Sequence, residues 1–166
     1  VRPCEGNADC EEAQQCVDLQ CRPNGEDGCL RPRGYAIGEL IESDSTGLSQ
    51  IHEAGCGNGA NGPEAVFLLE PDADGTVCLT TRDSSFDTVL HVRAATCEDG
   101  TAEVQCNDDD RGFNIATGLT STVELEAEAG TQYFVFVDGY GENSAGTFRL
   151  SSSRGPCEQQ APPACN

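Results

Sequence analysis

Five oxygen-bearing side chains follow short β-rich runs or turns of this sequence, and together they could hold a hard cation. They are Asp87, Asp108, Asp109, Asp138 and Asn143. Calcium binds about six to eight oxygens at about 2.3–2.6 Å, usually from loops. Clustered carboxylates repel one another, so a cation between them would relieve that repulsion. The sequence therefore predicts a calcium site if these strand ends converge. The alternative is that the side chains only cap turns through Asx hydrogen bonds.

No group of residues in the sequence indicates catalysis. His91 lies in the middle of a β-rich run and His52 in a long loop, positions more typical of packed or surface side chains than of catalysts. No nucleophile-elbow pattern accompanies the many Ser and Asp residues. Among 29 acidic residues, pairs of carboxylates are expected by coincidence. The chain has no Lys, which excludes Schiff-base chemistry. We therefore expect a protein that is not an enzyme.

The composition is strongly acidic. Twenty-nine Asp and Glu residues stand against nine Arg residues and no Lys, which gives a net charge of −20 in 166 residues. Such a surface repels phosphate groups, so we expect neither nucleic acid nor an anionic membrane as a partner. No apolar run approaches the length of a transmembrane helix, which argues against membrane insertion. The charge suits salty or calcium-rich water, where counterions screen repulsion; a codon bias would explain it equally well.

Cysteine usage points to an oxidising compartment. The chain has 11 Cys, no Cys-x-x-Cys pair and only two His, so zinc ligation explains the cysteines poorly. Disulfides form and persist outside the cytosol. The sequence begins at Val1 without an apolar signal segment, and we interpret it as a mature chain whose signal has been removed. The sequence thus predicts a secreted protein, extracellular or on the surface of a bacterium.

Ten of the cysteines can be paired by their positions along the chain. The predicted disulfides are Cys4–Cys16, Cys10–Cys21, Cys97–Cys106, Cys56–Cys78 and Cys29–Cys157. The first two are one of three connectivities open to the N-terminal cysteines. Cys97 and Cys106 flank a turn, and Cys29 and Cys157 lie near the two ends of the expected domain. Cys165 is left over, which suggests an intermolecular disulfide or a free thiol; a tail cysteine without a role is the alternative.

Short apolar runs separated by Gly, Asn and Asp predict β-strands throughout the middle of the chain. The expected strands are Tyr35–Ile41, Ala65–Glu70, Thr76–Thr81, Thr88–Val92, Ala102–Cys106, Ser121–Ala127, Gln132–Val137 and Thr147–Ser151. Eight such strands predict an all-β, antiparallel sandwich of jelly-roll type. The run at 133–137 is apolar on both faces and should be a central strand. The predicted divisions are a cysteine-rich segment at 1–30, the sandwich at 34–153 and a tail at 154–166.

Several of these segments together resemble the bacterial pre-peptidase C-terminal domain, in the variant common in secreted proteins of myxobacteria and related bacteria. They are Pro63-Glu64-Ala65-Val66-Phe67, Gly75-Thr76-Val77, Ser85-Phe86-Asp87-Thr88-Val89-Leu90, Cys106-Asn107-Asp108-Asp109 and Tyr133 to Gly139. The resemblance covers about residues 34–153. It implies a β-sandwich related to the collagen-binding modules of clostridial collagenases. Such domains are usually accessory modules of secreted enzymes that bind calcium, a polymer or a partner protein.

Two functions follow from these observations. The first is a secreted structural protein that self-associates into an extracellular filament or surface layer, stabilised by disulfides and calcium; the odd cysteine and the terminal extensions motivate it. The second is an adhesion module, or a carbohydrate- or collagen-binding accessory module, of a larger secreted protein. Tyr35 and Tyr140 could contribute to a face for a glycan or matrix ligand, although the absence of Trp weakens that idea.

Overall fold

Two β-sheets and a separate two-stranded ribbon make up the fold. The computed structural model describes residues 3, 5, 14–17, 20–23, 28, 29, 32–110 and 119–158. The strands of this part are β1 (Gln14–Val17), β2 (Gln20–Pro23), β3 (Arg33–Tyr35), β4 (Leu40–Asp44), β5 (Ala65–Leu69), β6 (Gly75–Thr80), β7 (Thr88–Ala94), β8 (Glu103–Asn107), β9 (Thr122–Ala127), β10 (Tyr133–Gly139) and β11 (Thr147–Arg154). Among the described residues, β1 and β2 pair with each other and with no other strand. No helix among the described residues is both long and apolar enough to span a bilayer.

The sandwich consists of a five-stranded sheet, in the order β3-β5-β10-β7-β8, and a four-stranded sheet, in the order β4-β11-β6-β9. All neighbours are antiparallel except β3 and β5, which are parallel. The predicted all-β sandwich is confirmed. The expected single strand at Tyr35–Ile41 is wrong, because a turn splits it between the two sheets. Glu39 N donates to Ala36 O at 3.0 Å, and Gly38 has φ +91°, a value that favours glycine.

Alternating side chains of the two sheets meet in one core. Tyr133, Val135 and Val137 of β10 point into it and are at most 4% exposed. Phe67 of β5 lies at its centre, with ring centroids 6.3 Å from Tyr35 and 6.0 Å from Phe148, both in edge-to-face arrangements. Such aromatic contacts stabilise the core beyond the area that they bury.

Strand β10 is buried on both of its faces, as expected for a central strand. Its outer face carries Phe134 and Phe136, which pack with Val66 and Cys97 in a second apolar cluster. The segment 49–64, which is the later part of the connection between β4 and β5, contacts this outer face through His52 and β10 through Gly62. The His52 ring meets the Phe136 ring at 5.3 Å between centroids. The outer faces of β10 and β7 are therefore covered, and the polar side chains of His91 and Arg93 on β7 are removed from water.

The structure contains three disulfides in its described part: Cys29–Cys97, Cys56–Cys106 and Cys78–Cys157. The predicted pairs Cys97–Cys106, Cys56–Cys78 and Cys29–Cys157 are therefore wrong, although all six cysteines form disulfides.

Strand geometry explains each correction. Cys106 lies on β8 opposite His91, whereas Cys97 lies beyond the end of β7 in the outer cluster. Cys56 belongs to the segment over the five-stranded sheet, while Cys78 lies in the four-stranded one. The chain leaves β11 beside β6, and this brings Cys157 to Cys78. The predicted pairs Cys4–Cys16 and Cys10–Cys21, and Cys165, depend on residues outside the described part. The divisions at 1–30, 34–153 and 154–166 stay predictions.

Candidate functional site

Three carboxylates converge at one end of the sandwich. Asp87 directly precedes β7, and Asp108 and Asp109 directly follow β8. Because β7 and β8 are antiparallel neighbours, the start of one and the end of the other lie at the same edge. One carboxylate oxygen from each residue lies within 4.8 Å of the others. We call these three residues the acidic cluster.

Hydrogen bonds to backbone carbonyl groups hold the loops that carry the acidic cluster. Tyr140 N donates to Asp87 O at 3.0 Å, and Ser121 Oγ donates to Asp108 O at 2.6 Å. The chain after Cys56 also approaches closely: a Cβ added to Gly57 would lie 2.6 Å from Val89 Cγ2 and 3.4 Å from Asp108 Cγ. The positions of the acidic residues are therefore fixed by neighbouring loops rather than by the two strands alone.

The electrostatics of the acidic cluster favour a bound cation. Burial, and then the charges of Asp108 and Asp109, raise the pKa of Asp87. Its Oδ1 atom is buried and has no hydrogen-bond partner among the described residues. A divalent cation would supply the missing partner and offset the repulsion. The three candidate ligand atoms are carboxylate oxygens, which hard cations such as Ca²⁺ prefer over softer metals.

Two predicted calcium ligands lie elsewhere. Asp138 is fully buried on the outer face of β10, where its Oδ2 lies 3.6 Å from His91 Nε2. Its Oδ1 accepts a hydrogen bond from Gly139 N at 2.7 Å. Asn143 lies exposed on the turn before β11, and its backbone carbonyl accepts from Ala145 N at 3.1 Å. The third aspartate of the run at 108–110 also turns inward: Asp110 Oδ2 accepts from Thr122 Oγ1 at 2.7 Å.

A second polar group lies beneath segment 49–64, and sequence reasoning missed most of it. We call this group the buried cluster; it consists of Glu64, His91, Arg93, Glu103 and Asp138, with His52 above it. His91 stacks on Phe136 with ring centroids 4.4 Å apart and planes 12° apart. His91 Nδ1 lies 3.4 Å from Glu103 Oε1. A polar residue alternating with apolar ones on a strand buried on both faces is the signal that could have found it.

The protonation of the two histidines is governed by the surrounding carboxylates. Burial lowers the pKa of His91, but the attraction of the Asp138 and Glu103 carboxylates, 3.6 and 3.4 Å from its ring nitrogens, outweighs burial, so the pKa is raised. His52 behaves in the same way with Glu64 and Glu98. Burial raises the pKa of Asp138 to about 7, against the opposing effect of His91. The pKa values of His91 and Asp138 are thus both raised, and the two side chains titrate as a coupled pair.

A surface groove of about 470 Å³ lies along β4 and β11. Arg149 crosses it, with Nε 3.1 Å from Glu42 Oε1 and NH1 3.6 Å from Asp83 Oδ2. Asp44 and Thr147 complete its polar wall, and Phe148 lies beneath. The groove offers several hydrogen-bond acceptors and one strong donor, which suits a polar ligand that is not an anion.

No protein-family model matches this sequence. No curated protein matches it either. Among solved structures, the pre-peptidase C-terminal domain of collagenase from Bacillus anthracis is similar in fold. The match covers 73% of this chain and 93% of that chain, with 13% sequence identity and a TM-score of 0.49. That solved structure is of the same domain family that the motifs of this sequence resemble.

Proposed function

We propose that this domain is a non-catalytic, calcium-stabilised binding module of a secreted bacterial protein. The observation that carries the proposal is the buried Oδ1 of Asp87, which has no hydrogen-bond partner among the described residues and faces two further carboxylates. A cation at this edge would fix the loops around β7 and β8 relative to one another. Calcium is the best match, because extracellular sites operate at about 10⁻⁴–10⁻³ M and use oxygen ligands.

An extracellular location is supported by the disulfides. Cysteines 68, 50 and 79 residues apart are joined within the described part of the chain. Crosslinks of this kind persist in oxidising compartments and are rare in the cytosol. The net charge of −20 also fits calcium-rich surroundings, since divalent cations screen the repulsion between the acidic side chains.

The groove around Arg149 is the proposed ligand site. Its carboxylates can accept hydrogen bonds from hydroxyl or amine groups, and Arg149 can donate to ether, hydroxyl or carbonyl oxygens. A neutral polysaccharide or an extracellular protein polymer presents such groups, whereas a polyanion would be repelled. The module would attach a larger secreted protein to this matrix.

Calcium titration calorimetry and thermal unfolding test the calcium part of the proposal. Wild-type protein should bind calcium and unfold at a higher temperature in its presence. Asp108→Asn should lose both effects. Glu128→Gln makes the same charge change at the exposed turn after β9, away from the acidic cluster, and should retain them. Equal calcium responses in both variants would refute the site.

Binding to insoluble polysaccharides and to collagen tests the ligand part. Arg149→Ala should reduce retention, while Arg33→Ala, which removes the same charge from an exposed position on β3, should not. Retention that does not change in Arg149→Ala would move the ligand site away from the groove. No retention on any matrix would leave calcium binding intact but refute the binding-module function.

Self-association is the second candidate, and the odd number of 11 cysteines favours it. If the remaining cysteines pair within the chain as predicted, Cys165 can join a second molecule and begin a filament or surface layer. Non-reducing electrophoresis of the native protein in calcium should then show a covalent dimer that disappears in Cys165→Ser. Electron microscopy of the same sample would reveal regular fibres or layers. A strictly monomeric protein in both measurements would refute this candidate.

A further inference from the structure

The buried cluster has ligand chemistry that differs from that of the acidic cluster. Glu64, His91 and Asp138 are each 0% exposed. One ligand atom from each lies within 4.8 Å of the others. Both ring nitrogens of His91, and Oδ2 of Asp138, are buried without a hydrogen bond among the described residues. Buried polar atoms without a partner are rare, and each indicates either strain or a missing group.

We propose that Glu64, His91 and Asp138 form a binding site for a divalent transition-metal ion of the zinc type. A nitrogen ligand with two carboxylates suits such an ion, whereas calcium prefers oxygen alone. Two ligands of a tetrahedral zinc ion at about 2.0–2.2 Å lie about 3.3–3.6 Å apart. The separation of 3.6 Å between His91 Nε2 and Asp138 Oδ2 matches this distance and is too long for a hydrogen bond.

The strand register places the three ligands together. Phe136 lies opposite His91 on β7 and opposite Val66 on β5. Asp138 is two residues further along β10 and therefore points to the same outer face. Glu64 directly precedes β5, and Gly62 N donates to Gly139 O at 3.0 Å, so the chain continues alongside β10 at this point. The ligands thus come from three adjacent strands or strand ends of a rigid sheet.

Neighbouring residues orient the ligands. His91 Nδ1 faces Glu103 Oε1 at 3.4 Å, which leaves Nε2 for the metal. The Phe136 ring stacks on the imidazole and fixes its plane. Glu64 Oε1 accepts from His52 Nδ1 at 2.5 Å, and both Glu64 oxygens lie 3.2 Å from His52 N. Carboxylates and hydrogen-bond donors behind metal ligands are the usual means of fixing ligand orientation.

The charge of the buried cluster also favours a divalent cation. Glu64, Glu103 and Asp138 carry three negative charges when ionised, and Arg93 carries one positive charge. His52 lies between Glu64 and Glu98, and in its protonated form it cancels the charge of Glu98. With His91 neutral, a single divalent ion therefore neutralises the remaining two charges. An open groove of about 510 Å³ is lined by His52 and by Arg93 and Glu103 of the buried cluster, so it reaches the margin of the cluster.

Cobalt(II) replacement tests the proposal on the full chain, after chelator treatment and prolonged incubation with the metal. One equivalent of Co²⁺ should bind and give the visible absorption bands of a tetrahedral site, and Zn²⁺ should displace it. His91→Gln and Asp138→Asn should abolish the bands. Glu103→Gln should weaken binding by about 10- to 100-fold, as expected for a residue that supports a ligand. Circular dichroism spectra that match wild type would establish that the variants are folded.

Two matched variants separate this site from the acidic cluster. Asp108→Asn should lose calcium binding and keep the cobalt spectrum, and Asp138→Asn should do the reverse. Glu98→Gln removes an exposed carboxylate beside His52 and should keep both. Absence of cobalt uptake by folded wild-type protein would overturn the proposal. A cobalt spectrum that survives in both His91→Gln and Asp138→Asn would overturn it as well.

Discussion

Cys56 is joined to Cys106 by a disulfide that ties the segment before β5 to the edge strand β8. This single bond borders both polar sites. Cys106 directly precedes Asn107 and the acidic cluster, and Cys56 follows Ala54 in the segment that covers the buried cluster. Cys56, Cys106 and Val89 also share a small apolar cluster. The bond therefore stabilises the loop arrangement on which both sites depend.

Removing this disulfide should destabilise the domain strongly. The two cysteines are 50 residues apart, and a loop of that length corresponds to about 4 kcal/mol of lost chain entropy in the unfolded state. We expect Cys56→Ser combined with Cys106→Ser to lower the free energy of urea unfolding by about that amount. The single variant Cys165→Ser is the control and should leave the stability of the monomer unchanged. A loss below about 1 kcal/mol in the double variant would contradict the prediction.

A side chain at Gly139 should not be accommodated at the end of β10. An added Cβ would overlap the backbone carbonyl oxygen of Ser144 and lie 2.9 Å from its carbon. The turn at 140–146 would have to move, so we expect Gly139→Ala to cost roughly 3 kcal/mol, at the upper end of the range for overpacking. Gly34→Ala on β3 is the matched control, because a Cβ there has no atom within 4 Å. Chemical denaturation of both variants measures the difference in their free energies of unfolding. The comparison uses the same dependence of that free energy on denaturant concentration for both variants.

Arg93 should be important for stability. It is 2% exposed, its guanidinium lies 4.9 Å from the centre of the Phe136 ring, and it donates to Cys97 O at 2.6 Å and Glu53 O at 3.0 Å. Arg93→Ala leaves those carbonyls and the carboxylates of the buried cluster without this cation, so we expect a loss of about 3–5 kcal/mol.

The exposed ion pair of Arg33 and Glu39 supplies the comparison for Arg93. Arg33 NH2 lies 3.7 Å from Glu39 Oε1, and both side chains are about 40% exposed. Pairs of this kind contribute about 0–1 kcal/mol, so Arg33→Ala should lose much less stability than Arg93→Ala. Similar unfolding free energies for Arg93→Ala and Arg33→Ala would show that the contacts of Arg93 contribute little.

The positions of the strands can be predicted from the sequence more readily than the contacts between side chains. The run at 133–137 is apolar at every position, and a strand with that pattern needs neighbours on both edges and cover on both faces; this is the environment of β10. The turn at Gly38 was harder to predict, because the residues on both sides of it have β-rich composition. Only the tertiary arrangement decides that they join different sheets.

The residues that a side chain contacts depend on the sheet and the face on which it lies. Spacing along the chain does not contain that information. Cys97 and Cys106 are close in sequence, yet they face different neighbours. Asp138 shares its acidic character and strand-end position with Asp108. It differs because β10 continues to Gly139, so its side chain points beneath segment 49–64 rather than into the end loops. Convergence of Asp87, Asp108 and Asp109 followed from the pairing of consecutive strands, which is the commonest arrangement.

Calcium affinity should fall as the solution is acidified, and the protonation of Asp87 should determine the pH range over which it falls. Burial and the two neighbouring carboxylates raise its pKa above the ordinary value of 3.8. A protonated carboxyl group cannot serve as a calcium ligand, so binding must release this proton at low pH. Calorimetric titrations at decreasing pH should show affinity dropping before 3.8 is reached. Glu128→Gln should follow the wild-type profile.

The same group makes the stability of the metal-free protein depend on pH in the opposite direction. Because the pKa of Asp87 is higher in the folded state, its contribution is fully present below 3.8 and is lost as pH rises through the raised value. Calcium binds the ionised form and should reverse this trend, so that stability increases with pH over the same interval. Other carboxyl groups, such as Asp44 and Glu103, have lowered pKa values and contribute a slope of the opposite sign, so the contribution of Asp87 is obtained as the difference between wild type and Asp87→Asn in unfolding measured across this range. This difference in slope should change sign between chelator and calcium. A difference that is the same in both conditions would mean that Asp87 does not ligate the ion.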